Sequence, residues 1–248
     1  MKFLILLFVL FFELIAADKT TPLLVGAGSY IQSQPYQGAD TKILPSPVVF
    51  FDNHLFYVRW TRIGVYFLGD VKDDFSWAFS LSAEPQPLGY KASESSSLKG
   101  MMNRDSSFQG GLGFDMQYKD TFFNAVLFQD ILNKSNSYLA RAELGQHLKI
   151  DKWDLYPSII ATYHAAKFNN YYYGVTSSEA TPQRVAYSPS SSVDLSFESY
   201  AKYEFSKEWS TLLNFRADYL GKSEQNSPIV SDKYIFSGLA SVMYKFDF

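Results

Sequence analysis

Three histidines, His54, His147 and His164, are the only imidazoles in a chain of 248 residues that contains no cysteine. They share no metal-ligand spacing, so no metal centre is expected. Disulfides, thiolate catalysis and Cys-based clusters are excluded. His147 falls on the polar side of an alternating segment, where a Ser/His pair of the membrane-phospholipase kind could act. No Gly-x-Ser-x-Gly elbow accompanies it, and a histidine lining a lumen or rim is the plainer reading. The paired carboxylates Asp73 and Asp74 sit in a short turn and read as solvated. What remains is a set of charges of both signs in mid-segment: Asp115, Arg141, Glu143, Glu198, Lys202, Glu204, Arg216 and Asp218. Such groups could line a pore or lock together as a salt-bridged plug. No catalytic residue and no cofactor are expected.

The elements that position these charges repeat with period two. In FSWAFSLSAE, Phe75, Trp77, Phe79, Leu81 and Ala83 share one face, against Ser76, Ser80, Ser82 and Glu84. VDLSFESYAKYEF sets Val193, Leu195, Phe197, Ala201, Tyr203 and Phe205 against Asp194, Ser196, Glu198, Lys202 and Glu204. SFQGGLGFDMQY and EWSTLLNFRADY behave alike. Soluble strands average about 5–6 residues; these runs extend for roughly 10–13, the length a tilted strand needs to cross a bilayer. Aromatics make up 18% of the chain and gather at run ends, as interface girdles do. Short connections (GDVKDD, KD, DK, SKE) alternate with long ones (residues 85–106, DILNKSNS, 164–192, GKSEQNSPIVSDK), the asymmetry of periplasmic turns and outer loops.

The fold class expected is therefore all-β: a single antiparallel transmembrane β-barrel of about twelve strands, with ten as the alternative. Candidate strands begin near residues 23, 44, 55, 75, 107, 121, 137, 153, 193, 208 and 235. That odd number conflicts with the even count of bacterial barrels, and the split before residue 70 is the one in doubt. Side chains and inward loops are expected to fill most of the lumen.

At the N-terminus, Lys2, an apolar run over residues 3–12 and the pair Ala16-Ala17 read as a secretory leader over residues 1–17, leaving residues 18–248 as the barrel. The formal net charge of −3 gives no electrostatic case for nucleic acid. The chain ends SGLASVMYKFDF, with Phe236, Gly238, Ala240, Val242, Tyr244, Phe246 and Phe248 alternating. This reads as a closing strand.

The stretch GAGSYIQSQPYQGADTKILPSP, with Pro35, Tyr36, Gly38, Ala39, Asp40, Pro45 and Pro47, resembles the opening of the MipA/OmpV family of outer-membrane proteins. That opening has a Gly-rich first strand, then Pro-x-Tyr-x-Gly-Ser/Ala-Asp, then Pro-x-Pro leading to a strand. NNYYYGV supplies Tyr172, Tyr173, Gly174 and Val175, SPIV supplies Ser227 and Pro228, and a terminal Tyr-x-Phe follows. The motifs occur in order along the mature chain; residues 86–107 are Ser-rich and depart from the family pattern. The residues themselves read as turn geometry for QPYQGAD and SPIV, and as loop packing or girdle for YYYGV, with stacking on sugar rings of murein or lipopolysaccharide the sharper alternative. The resemblance implies an outer-membrane barrel in contact with lipid and lipopolysaccharide. It also implies that Tyr244, Phe246 and Phe248 form a C-terminal assembly signal read by the barrel-assembly machinery. The family's namesake implies a scaffold joining a lytic transglycosylase and a bifunctional penicillin-binding protein; a narrow diffusion pore for small solutes is the competing reading.

Overall fold

The computed structural model describes residues 21–247, so the leader over residues 1–17 and the terminal Phe248 lie outside the described residues. Alternation becomes strand: β1 (Leu23–Gln32), β2 (Lys42–Asp52), β3 (Phe56–Arg59), β4 (Arg62–Lys72), β5 (Phe75–Gln86), β6 (Ser107–Tyr118), β7 (Thr121–Asp130), β8 (Tyr138–Gln146), β9 (Leu148–Ile150), β10 (Trp153–His164), β11 (Ser192–Glu204), β12 (Trp209–Tyr219) and β13 (Tyr234–Phe246). Two short helices, α1 (Ala166–Tyr173) and α2 (Lys222–Gln225), lie in the loops.

β8 and β9 are two stretches of one barrel strand. Both pair with β10, up to Ser158↔Gly145 on one side and from Leu155↔Leu148 on the other, which leaves Pro157 opposite Gln146. A proline offers the ladder no N–H, and the strand is interrupted there. Counted as one, they complete a closed antiparallel barrel of twelve strands. Closure runs from Leu23↔Phe246 to Gln32↔Ser237, which leaves no edge between first and last strand in a solvent that cannot hydrogen-bond.

The odd count resolves at residues 55–72, which hold two strands where one was expected. β3 is four residues long, too short to show a period, and turns into β4 through Trp60, whose φ is +55°, and Thr61. The ten-strand alternative falls with it. β2 begins at Lys42, close to the expected start near residue 44, and holds Pro45 and Pro47 in its outer part.

Both strand termini and the short turns at 53–55, 73–74, 119–120, 151–152 and 205–208 share one end of the barrel, the periplasmic one. Residues 33–41, 87–106, 131–137, 165–191 and 220–233 gather at the other. The two-residue Trp60-Thr61 turn is the exception among the outer connections. Outward residues such as Leu81, Ile159 and Leu195 are exposed and meet lipid. The expectation of a filled lumen is corrected: a cavity of about 1910 Å³ occupies it. The cause is small inward side chains, since β5 and β6 turn Ser76, Ala78, Ser80, Ser82, Gly111 and Gly113 inward, and none reaches the axis.

Candidate functional site

The outer end of the barrel is closed by its own loops. Tyr36 bridges Val230, Gln37 N donates to Ile229 O at 2.9 Å and Ser231 N donates to Pro35 O at 3.0 Å. Ser227 Oγ donates to Tyr173 O at 2.6 Å. Ring contacts join Tyr36 to Tyr90 (4.6 Å between centroids) and to Tyr173 (6.1 Å). The sequence motifs around Pro35-Tyr36, Tyr172-Tyr173-Gly174 and Ser227-Pro228, far apart in the chain, thus form one cap. Tyr36, Tyr90, Leu98, Phe128, Leu139, Phe168, Tyr172, Tyr173 and Ile229 are its buried core.

Local geometry fits each member for this. Gly38 has φ +71°, a left-handed turn that a side chain resists. Gly174 ends α1 with no room for a Cβ, which would sit 2.4 Å from Asn170 O. Pro228 is half-buried and Asp40 exposed. Burial pushes the phenols of Tyr36, Tyr172 and Tyr173 up, and that of Tyr90 to about 12.

Sequence reasoning missed the clamp that holds the cap together. Arg104 Nη2 donates to Glu179 Oε1 at 3.0 Å and Oε2 at 3.1 Å, Nε to Tyr171 O at 2.7 Å and Nη1 to Met102 O at 3.1 Å. Glu179 also accepts from Met102 N (2.8 Å), Thr176 N (3.0 Å) and Thr176 Oγ1 (2.8 Å). Burial favours the neutral carboxyl, but these donors outweigh it and hold Glu179 below its usual range. Nearby, Arg184 Nη1 donates to Ser97 O at 2.6 Å, and Nη2 to Glu179 O at 2.7 Å. The clamp joins loop 87–106 to loop 165–191. No periodic signal marks a pair 75 positions apart.

Beneath the cap, the cavity runs from Thr21, Pro22, Gln117, Asp120 and His147 at the periplasmic end up to Leu88, Ser106, His164, Tyr173 and Leu220; no residue of 89–105, 174–193 or 221–234 lines it. Asp115, Arg141, Glu143, Glu198, Lys202, Arg216 and Asp218 all line it. They are paired rather than free. Arg59 bonds Asp115 at 2.9 Å and Asp52 at 3.1 Å. Glu84 bonds Arg62 at 2.8 Å and also Arg141. Arg216 Nε donates to Asp218 at 2.8 Å, and Arg216 Nη1 lies 3.5 Å from Glu198. Lys202 bonds Glu204 at 2.7 Å, and Asn124 donates to Glu143 at 3.5 Å. Trp60 crosses the lumen: its Nε1 donates to Ser46 Oγ at 2.9 Å, and its ring meets Tyr30 and Tyr200.

His147 bonds Asp154 at 2.8 Å and stacks on Tyr156; among the described residues no serine hydroxyl hydrogen-bonds to it. His54 sits in a periplasmic turn with φ +64°. His164 is brought to two carboxylates from other elements, 3.0 Å from Glu224 and 3.6 Å from Asp194. Their ligand atoms lie within 4.8 Å of one another, a set of N and O donors that could hold a divalent ion. Each already has a protein partner: Gly221 N donates to both Asp194 Oδ1 (2.8 Å) and Glu224 Oε2 (2.7 Å), and Ser192 Oγ donates to Glu224 Oε1 (2.8 Å). The trio ties α2 to the barrel rim. Tyr244 and Phe246 face outward at the periplasmic end, in ring contact with each other and, for Tyr244, with Trp209.

A family model described as MltA-interacting protein MipA matches residues 25–246. The MltA-interacting protein of Escherichia coli strain K12 is 27% identical over 227 residues, 90% of this chain and 89% of its own. The outer membrane protein OmpV of Vibrio cholerae is 28% identical over 159 residues, 64% of this chain and 62% of its own. Among solved structures, an anion-selective porin from Comamonas acidovorans aligns with TM-score 0.46 at 7% identity, over 92% of this chain and 99% of that one.

Proposed function

The chain belongs to the MltA-interacting protein MipA family and is an integral outer-membrane protein, and we propose that it is a non-enzymatic scaffold that docks murein-remodelling enzymes on its periplasmic side. The carrying observation is the direction in which the barrel is open. Its outer end is sealed by the cap, whereas the cavity reaches exposed Asp120 at the periplasmic end. The turns there present Asp73, Asp74, Lys119, Asp120, Asp151, Lys152, Lys207 and Glu208, exposed charges of both signs suited to polar, reversible contacts. A lytic transglycosylase and a penicillin-binding protein are the partners this reading names, as the resemblance to the MipA/OmpV family implies; one relative is called MltA-interacting protein. On the same reading, the leader over residues 1–17 directs export, the terminal aromatics engage the assembly machinery, and the outer loops meet lipopolysaccharide. Crosslinking in intact envelopes followed by pull-down tests it, and a partner set without any murein enzyme would sink it.

A narrow diffusion pore is the second reading, favoured by the charged lumen wall. Refolded protein in a planar bilayer separates the two: steady single-channel steps that change on Arg141→Glu or Arg216→Glu support the pore, and silence at all voltages supports the scaffold.

A further inference from the structure

The barrel wall is not uniform. β3 has four residues between neighbours of eleven. It pairs with β2 only from Phe50↔Arg59 to Asp52↔Tyr57. Above Trp60, β2 continues to Lys42 with β1 on one side and no strand on the other. Across the break, the last partner of β5 on β4 is Ala83, opposite Ile63; Glu84, Pro85 and Gln86 pair with β6 alone. Toward its outer end the wall therefore lacks strand pairing between residues 42–48 of β2 and residues 84–86 of β5. Lys42 closes the gap above, donating to Gly89 O at 3.0 Å.

Proline placement follows this break. Trp60 N donates to Val49 O at 2.8 Å, so odd-numbered residues of β2 direct their backbone groups toward the unpaired side, and Pro45 and Pro47 have that parity. Tyr66 N donates to Leu55 O at 2.8 Å, so Ile63 directs its groups to Ala83. Pro85, two residues on, then faces the gap from β5. An unsatisfied N–H in hydrocarbon costs several kcal/mol, and three of the positions facing the gap carry none to lose.

The cavity meets the gap. Leu44, Pro45 and Ser46 on one side, Trp60, Thr61 and Arg62 below, Pro85 and Gln86 opposite, and Pro87 and Leu88 above all line it. Pro45 and Pro85 stand on the outward face of their strands and border the cavity at the two edges of the break. The outward neighbours are lipid-facing: Ile43 is 67% exposed and Leu81 59%.

We propose that this break is a lateral opening through which an acyl chain of the surrounding bilayer enters the lumen and packs beside Trp60. Hydrocarbon chains are the molecules that abut Ile43 and Leu81, and Leu44, Pro45, Pro85 and Leu88 give them an apolar stretch of rim to cross beside Ser46, Thr61, Arg62 and Gln86. The inference is independent of the docking reading, because it concerns the wall and not the periplasmic turns.

The test uses Trp60 as the reporter. The other tryptophans, Trp77, Trp153 and Trp209, are changed to Phe, and the protein is refolded into phosphatidylcholine bilayers with or without bromine on the acyl chains; heat-modifiable migration verifies folding. The comparison protein carries Trp60→Phe and Asn124→Trp on the same background. It places the indole on the lumen face of β7, behind a wall paired on both sides and away from the Trp60 cluster; Gln117→Trp on β6 serves if that variant does not fold. Bromolipid should quench Trp60 at least threefold more strongly than the comparison indole. Equal quenching at the two positions, weak or strong, would overturn the opening.

Discussion

Replacing Glu179 by Ala should loosen the outer cap while leaving the barrel closed. The carboxylate takes two hydrogen bonds from Arg104, one from Met102 N and two from Thr176. Its loss leaves a guanidinium whose side chain is 6% exposed, held only by the carbonyls of Tyr171 and Met102. Removing one partner of a buried ion pair costs about 3–5 kcal/mol, or roughly two to four powers of ten in an opening equilibrium. The two surviving carbonyl bonds place the expected value at the lower end. Amide hydrogen exchange reads it at groups that do not touch Glu179: the Tyr90–Arg104 pair and the Val175–Tyr187 pair, each bonded in both directions. Their protection should fall about a hundredfold, while amides within β10 and β11 keep theirs. A fall of less than about tenfold would show that the aromatic core, not the clamp, holds the cap. The pH dependence follows in sign. Because the folded-state pKa is depressed, the stabilisation is complete above the ordinary glutamate value of 4.5 and is lost as pH falls through the depressed value. The cap of the unmodified protein should therefore lose protection in acid, taken relative to the intrinsic amide exchange rate at each pH, and the Glu179→Ala variant should lack that dependence.

Gly26→Val and Gly28→Val should impair closure, because a Cβ there would meet Val242 O at 2.2 Å and Ala240 O at 2.1 Å on the closing strand; a cost of about 1–3 kcal/mol should appear as a lower transition temperature of the heat-modifiable form. Glu84→Ala leaves Arg62 and Arg141 facing each other across the lumen, and thermal unfolding should show a loss of about 1–3 kcal/mol, moderated by water in the cavity. Deleting Phe248 should lower the outer-membrane level in cells far more than it impairs refolding in detergent, because what is lost on this reading is a recognition residue for the assembly machinery. Normal cellular levels would show that the ending is a strand and nothing more.

Most of the wall was legible because its period is dictated by lipid on one side and water on the other. Asp115, Arg141, Glu198 and Arg216 could be placed on the lumen face from alternation alone. Residues 55–72 could not be divided, since the four residues of β3 are shorter than any pattern. Pro45 and Pro47 blurred the alternation there for a related reason: proline argues against a strand interior except beside a missing neighbour, and the missing neighbour is a property of the sheet, not of the segment. The hollow lumen was implicit in the Ser and Gly of β5 and β6, but a volume follows only once strand number is fixed. The cap lay beyond reach. Tyr36, Tyr173 and Ile229 meet because the barrel gathers three loops at one rim, and the pairing of Arg104 with Glu179 leaves no periodic trace.

The seam between β1 and β13 also sets an order of events in time. Ser33 and Phe236 are 203 positions apart, so the first strand waits for the last before its free side is covered. Every shorter chain carries an adhesive edge, and contacts of such separation form slowly because the loop must close before any bond rewards it. Hairpins such as β6–β7 can form early and locally, whereas the cylinder as a whole cannot exist until the final strand has been delivered. The topology therefore exposes an adhesive edge for the whole interval before closure, whatever the finished protein goes on to bind.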